Sequence, residues 1–228
     1  DTRDKAILKL DKLGIQVGYP DKIPALYDQF KVDEEESLIA NLNQLTVTAN
    51  KELFSRWNKP VDRMRWEMSA ATVNAYYHPF KNIIVFPAAI LQAPFYSLKH
   101  SSSQNYGGIG AVIAHEISHA FDNNGSLFDE FGNLNNWWTD EDSAHFKQLA
   151  QKMIEEFDGI PFAGQKVNGK LTVSENIADA GGLSCALEAA KTEADFNAQE
   201  FFINWATIWR MKATEQYMQL LLSIDVHA

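Results

Sequence analysis

His115, Glu116 and His119 form the pentapeptide HEISH inside IGAVIAHEISHAFDNN, a stretch whose pattern predicts a helix. At about 100° and 1.5 Å per residue, positions i and i+4 lie one turn apart on one helix face. His115 and His119 can therefore offer ring nitrogens to a single divalent cation. Glu116, one step round the helix, can lean over the remaining coordination position. That is the chemistry of a zinc hydrolase: two helical ligands, an open position for water, and a carboxylate to take the water's proton. The residues before the pair (Ile109, Val112, Ile113, Ala114) are apolar. The imidazoles are thus expected to be buried, where unpaired they would be costly.

A catalytic zinc site normally has three protein ligands. The pattern HExxHxxGxxH is excluded, because Asp122 and Gly125 stand where its glycine and last histidine would be. The other solution takes a carboxylate from a second helix. SENIADAGG, from Ser174 to Gly182, supplies one: Ser174 is expected to cap the helix, with Glu175 and Asp179 at i and i+4. Glu175 would bind the metal. Asp179 could accept a hydrogen bond from the far nitrogen of a ligating histidine, and Asp122, three residues past His119, could do the same.

Other elements must position these groups. TVNAYY and NIIVF (Thr72–Tyr77 and Asn82–Phe86), separated by HPFK, read as a hairpin. Its exposed edge could pair with an extended peptide by main-chain hydrogen bonds. Helices are expected from about Asp4, from the VDEEES run to about Trp57, and after a Thr139 cap, with His145 facing solvent. DEFGN lacks the oxygen spacing of a calcium loop, so no calcium is assigned. Phe201, Trp205, Ile208, Trp209 and Lys212 form a one-sided, mostly apolar stripe.

Composition bounds the partners. The 228 residues are 46% apolar, ample for a core, and carry a net charge of −10, which argues against nucleic acid or an anionic membrane surface. No apolar run is long enough to span a bilayer. The lone Cys185 cannot form an internal disulfide; set among Leu183, Ala186 and Leu187, it is expected in the core.

NAYYHPFKNIIVFPAAILQAPF, HEISHAFD, ENIADAGG and DVHA, in that order along the chain, resemble the M13 family of zinc metallopeptidases. This is the neprilysin and endothelin-converting enzyme family, which includes bacterial PepO-type oligopeptidases. LGIQVGYPDKI near the start is in the same style. The resemblance implies a mainly α fold with a small β-sheet (α+β), a thermolysin-like zincin of the gluzincin type. It implies one Zn2+ per chain held by His115, His119 and Glu175, with Glu116 as general base and Asp122 and Asp179 orienting the histidines. Asn74 and Ala75 match the pair that holds the substrate backbone, and His227 the donor to the oxyanion. Ile90, Phe95, Ala111, Val112, Ile208 and Trp209 match the pocket for the residue after the scissile bond.

The expected activity is hydrolysis of oligopeptides on the amino side of large apolar residues, with zinc and His227 stabilising the oxyanion. Two rivals stand beside it. A metal-dependent peptide-binding piece without turnover gives Glu116 no purpose, and a zinc aminopeptidase would want an acidic anchor that Ala71–Tyr77 lacks. The expected organisation is a helical segment over 1–60 leading into a catalytic domain over 61–228. The piece is expected to belong to a larger protein and to pack against its other parts, with Phe201 and Trp205 short of partners until then. The single cysteine points to a bacterial, cytoplasmic setting, without excluding an extracellular one.

Overall fold

A computed structural model describes residues 1–227. The chain opens with helix α1 (Thr2–Asp11), capped by Asp1, and passes into strand β1 (Gly14–Gly18). Helix α2 (Leu38–Ser55) starts at the Ser37 cap and ends two residues short of Trp57. Strands β2 (Tyr76–His78) and β3 (Ile83–Pro87) follow, then the single-turn helix α3 (Ser102–Asn105). A π-helical turn over Tyr106–Gly110 leads into α4 (Ala111–Ser118). Helix α5 (Asp140–Phe157) has Thr139 at its cap and Asp140, Glu141 and Asp142 in its first turn, where carboxylates suit the positive helix end. After the two-residue strands β4 (Pro161–Phe162) and β5 (Gln165–Lys166) come α6 (Gly169–Ala190), α7 (Ala198–Ile208) and α8 (Glu215–Ile224). The fold is mainly α with small sheets, as expected.

The main sheet has the order β1-β3-β2. β3 is central and buried along its whole length, which is why IIVF is a continuous apolar run without alternation. β2 pairs with it antiparallel, Tyr77 opposite Ile84, and keeps its outer edge free. The hairpin is thus shorter than the sequence suggests: Asn74 and Ala75 precede the strand, and His78 belongs to it. β1 joins on the other side, parallel to β3, with Gln16 opposite Val85. It is a strand inside a stretch read as helical. A five-residue segment with glycine at each end carries little local signal, and its partner lies far along the chain.

Helix α4 lies between two apolar clusters. One joins Ile84 and Phe86 of the sheet to Ile90, Ile109 and Val112; the other joins Ala111 to Ala186, Ala190 and Phe201. Phe201 is fully buried and Trp205 packs against the same cluster, so these rings do not lack partners: α7 folds back on α3 and the π turn. Cys185 is exposed on α6, because the buried face there runs through Gly182, Ala186 and Ala190. No helix among the described residues is long and apolar enough to cross a membrane.

Candidate metal centre

Helix α4 presents His115 one turn before its end, and His119 closes the helix as its C-cap. The chain then leaves the helical path, so the expected continuation through FDNN is a turn. Asp122 causes this locally: its Oδ1 accepts the backbone N–H of Asn124 and Gly125, both at 2.7 Å. Gly125 is needed there, since a side chain would run into the His119 carbonyl.

Glu175 and Asp179 come from α6, which begins six residues earlier than Ser174 suggests. Asn168 caps it, accepting from the N–H groups of Lys170 and Leu171. Ser174 is inside the helix, and its hydroxyl donates to Asp122 Oδ2 at 2.6 Å. The two helices meet closely at Gly182, where an added Cβ would lie 2.6 Å from the His115 nitrogen. That approach brings Glu175 over the histidine pair.

The ring nitrogens are sorted by their partners. His115 Nδ1 lies 2.7 Å from Asp179 Oδ1, and His119 Nδ1 lies 2.6 Å from Asp122 Oδ2. A carboxylate only accepts, so each Nδ1 carries a proton and each Nε2 points inward, offering a lone pair there when the imidazole is neutral. The two Nε2 atoms stand 2.9 Å apart, and Glu175 Oε2 is 3.3 Å from one and 3.2 Å from the other. Oε2 is buried and has no hydrogen-bond partner among the described residues. With the imidazoles neutral, two lone pairs and a carboxylate oxygen converge in one place, an arrangement that a cation between them stabilises. Two imidazoles and a carboxylate are the donor set that suits zinc, and His115, His119 and Glu175 fit it.

Without a cation the surrounding carboxylates favour protonated imidazoles, so a bound cation takes the place of the Nε2 protons. Burial lowers the basicity of His115 and His119, but Asp179 and Glu175 for the first, and Asp122 and Glu175 for the second, outweigh it. The pKa values are held up at about 9 and about 10. Burial pushes Glu175 up, yet the facing histidines hold its carboxyl well below the usual range. Glu116 is 6% exposed, and burial raises its pKa against the opposing pull of His115 and His119.

A cleft of about 910 Å³ opens over this cluster. Glu116, Asn74, Ala75 and His227 all line it, as do the six apolar residues from Ile90 to Trp209 named for the pocket. Tyr76 and Tyr77 of β2 also line it. His227 Nε2 is 3.2 Å from Glu175 Oε2, and its Nδ1 is 2.7 Å from Asp225 Oδ1. Glu175 raises the His227 pKa to about 9, with burial opposing and Asp225 assisting. Asp225 and Ser174 are partners the sequence reading missed. The short spacing D-x-H could have exposed the first; nothing local points to the second.

Two histidines a turn apart, a glutamate from a facing helix and a buried carboxylate at a peptide-sized cleft with a free strand edge define a site of the metallopeptidase class. The chain belongs to peptidase family M13, whose sequence profile matches residues 74–228. The neutral endopeptidase of Lactococcus lactis subsp. lactis is 54% identical over 228 residues, all of this chain and 36% of that protein. The crystal structure of PepO from Lactobacillus rhamnosis superposes with a TM-score of 0.95 at 45% identity, covering all of this chain and 36% of its own. The Mycobacterium tuberculosis zinc metalloprotease Zmp1, solved with an inhibitor, gives 0.92 at 38% identity, covering all of this chain and 37% of its own. The chain thus spans just over a third of the length of the relatives it matches.

Proposed function

We propose that this chain is the catalytic part of a zinc-dependent endopeptidase acting on oligopeptides. The observation that carries the reading is the buried Glu175 oxygen facing the inward Nε2 atoms of two histidines whose Nδ1 atoms are held by carboxylates. One zinc ion held by His115, His119 and Glu175 would supply Lewis acidity, acidifying water and polarising a carbonyl. The chain's own groups do the rest. The Glu116 carboxylate, made more basic by burial, takes the proton of the attacking water and returns it to the leaving amine. His227 Nε2 donates to the developing oxyanion while Asp225 holds its other nitrogen. Asn74, Ala75 and the free edge of β2 hold the substrate backbone by main-chain pairing, which leaves sequence preference to the pocket. Ile90, Phe95, Ala111, Val112, Ile208 and Trp209 give that pocket an apolar wall suited to a large apolar residue after the cut. Asp122 and Asp179 fix the histidine tautomers.

The relatives' lengths support further parts that would enclose the cleft. The apolar, exposed Leu38, Ile39 and Phe54 of α2 offer a face for them. The bacterial relatives and the single cysteine favour a bacterial, cytoplasmic setting.

The test separates metal binding from turnover in the natural full-length protein. Glu116→Gln should keep its zinc and lose turnover of a blocked internal peptide by orders of magnitude. Glu175→Gln should lose zinc, since a neutral amide is a poor ligand. Zinc lost from the first and kept by the second would overturn the assignment.

A further inference from the structure

Lys9 is among the largest side chains with almost no exposure, at 1%. Its ammonium lies 2.7 Å from the carbonyl of Ala120, 2.8 Å from that of Gly125 and 2.7 Å from that of Phe128. Three donors meet three acceptors, so the group is saturated. The rings of Tyr77, Phe121 and Trp137 wall it in, with centroids 5.7–5.9 Å from Nζ.

All three carbonyls belong to the turn that follows His119. A buried unpaired carbonyl is costly. The Gly125 carbonyl also accepts the Phe128 N–H, and the Phe128 carbonyl the Trp137 indole N–H, but the Ala120 carbonyl, next to His119, has no donor besides Lys9 among the described residues. The same turn carries Asp122, which is 2% exposed and is the partner of His119 Nδ1. The far end of the arrangement is also tied down. The Lys9 carbonyl accepts from Asn82 Nδ2 at 3.0 Å, and Asn82 Oδ1 accepts from the Tyr77 hydroxyl of β2 at 3.1 Å. Burial draws the Lys9 pKa down to about 8, while Asp122, Asp129 and Glu130 pull the other way, so the group is mostly charged at neutral pH.

We propose that Lys9 is a positioning residue of the metal centre: its ammonium fixes the 120–128 turn and, through Asp122, the orientation of His119. An apolar side chain of similar volume could fill the same space but would leave the Ala120 carbonyl, next to His119, without a donor. It would leave Asp122 on a segment free to shift against α4. The proposal rests on reading His115, His119 and Glu175 as the zinc site.

The experiment uses the natural full-length protein and measures zinc affinity by chelator competition, well below the melting temperature. Lys9→Met should lower affinity about 10- to 100-fold, the range for loss of an outer partner of a metal ligand. Combined with Asp122→Asn, it should add little beyond the single Asp122→Asn loss, because both act through one carboxylate. Unchanged affinity with a lower melting temperature would mean that Lys9 serves packing alone and would overturn the proposal, as would additive losses. Where Lys9→Met does not fold, Lys9→Arg replaces it. The planar fork cannot reach all three carbonyls, so a loss of at least about tenfold is expected, and unchanged affinity would again overturn the idea. Wild type and Glu175→Gln run alongside. If wild type holds no zinc that Glu175→Gln loses, the zinc-site reading falls; tight zinc in both wild type and Lys9→Met removes only the role of Lys9.

Discussion

Asparagine at 122 should weaken zinc binding by about 100-fold or more, and by at least ten times as much as asparagine at 179. The two aspartates make the same bond to a histidine in different surroundings. Asp122 receives four donors: His119 Nδ1, the Ser174 hydroxyl and two backbone N–H groups. An amide in its place keeps one acceptor oxygen. The backbone N–H groups cannot turn, so that oxygen goes to them and the NH2 faces His119. With zinc bound, His119 Nε2 is committed to the metal and Nδ1 must keep its proton, leaving two donors nose to nose. Without zinc the imidazole can shift its proton to Nε2 and accept from the amide. The penalty therefore falls on the metal-bound state. A buried, unsatisfied donor and a lost charge-assisted bond together cost about 3 kcal/mol, or roughly two powers of ten in affinity. The Asp179 side chain is 50% exposed, so water takes over much of its role and about tenfold is expected. Chelator competition on both variants, with melting curves to confirm folding, measures the ratio. Equal losses, or a larger one at 179, would refute the reasoning from burial.

Three more outcomes follow from the geometry. Gly182→Ala should lower both the melting temperature and zinc affinity, although alanine is the better helix former by about 1 kcal/mol, because its methyl would meet the His115 backbone; a raised melting temperature with affinity intact would count against this. Ile208→Trp should narrow the apolar end of the cleft, cutting kcat/KM for substrates with Phe or Leu after the cut by roughly tenfold relative to Ala; an unaltered ratio would move the pocket elsewhere. Removing zinc with a chelator should lower the melting temperature reversibly, since a ligand at about a thousand times its Kd adds about 4 kcal/mol to stability; no shift would show that the site and the fold are uncoupled.

The groups legible in the sequence were those whose relation is set by one helix. His115 with His119, and Glu175 with Asp179, need only the helical repeat to share a face, and the structure keeps both pairs. Asp122 was legible because it sits three residues beyond His119. What escaped depends on contacts across the chain. β1 is defined by its pairing with β3, not by its own five residues. Ser174 looks like a cap by type and place, yet Asn168 had already started the helix and freed the hydroxyl for Asp122. Cys185 has apolar neighbours in sequence, but those at i±1 and i±2 on a helix face other ways, so it ends exposed. Lys9, between Leu8 and Leu10, looks like any surface lysine until the turn after His119 is folded against it.

The close passage of α4 over α6 changes how such a site should be searched for in other sequences. Ligand letters state which atoms can bind, but Gly182 sets the distance at which the two helices stop approaching. A chain that kept HEISH and Glu175 yet carried a bulky residue at 182 would hold its donors too far apart to share one ion. The glycine therefore shapes the site's geometry as much as the histidines do. Pseudoenzymes in such a lineage could arise through this spacer alone, with every ligand still in place.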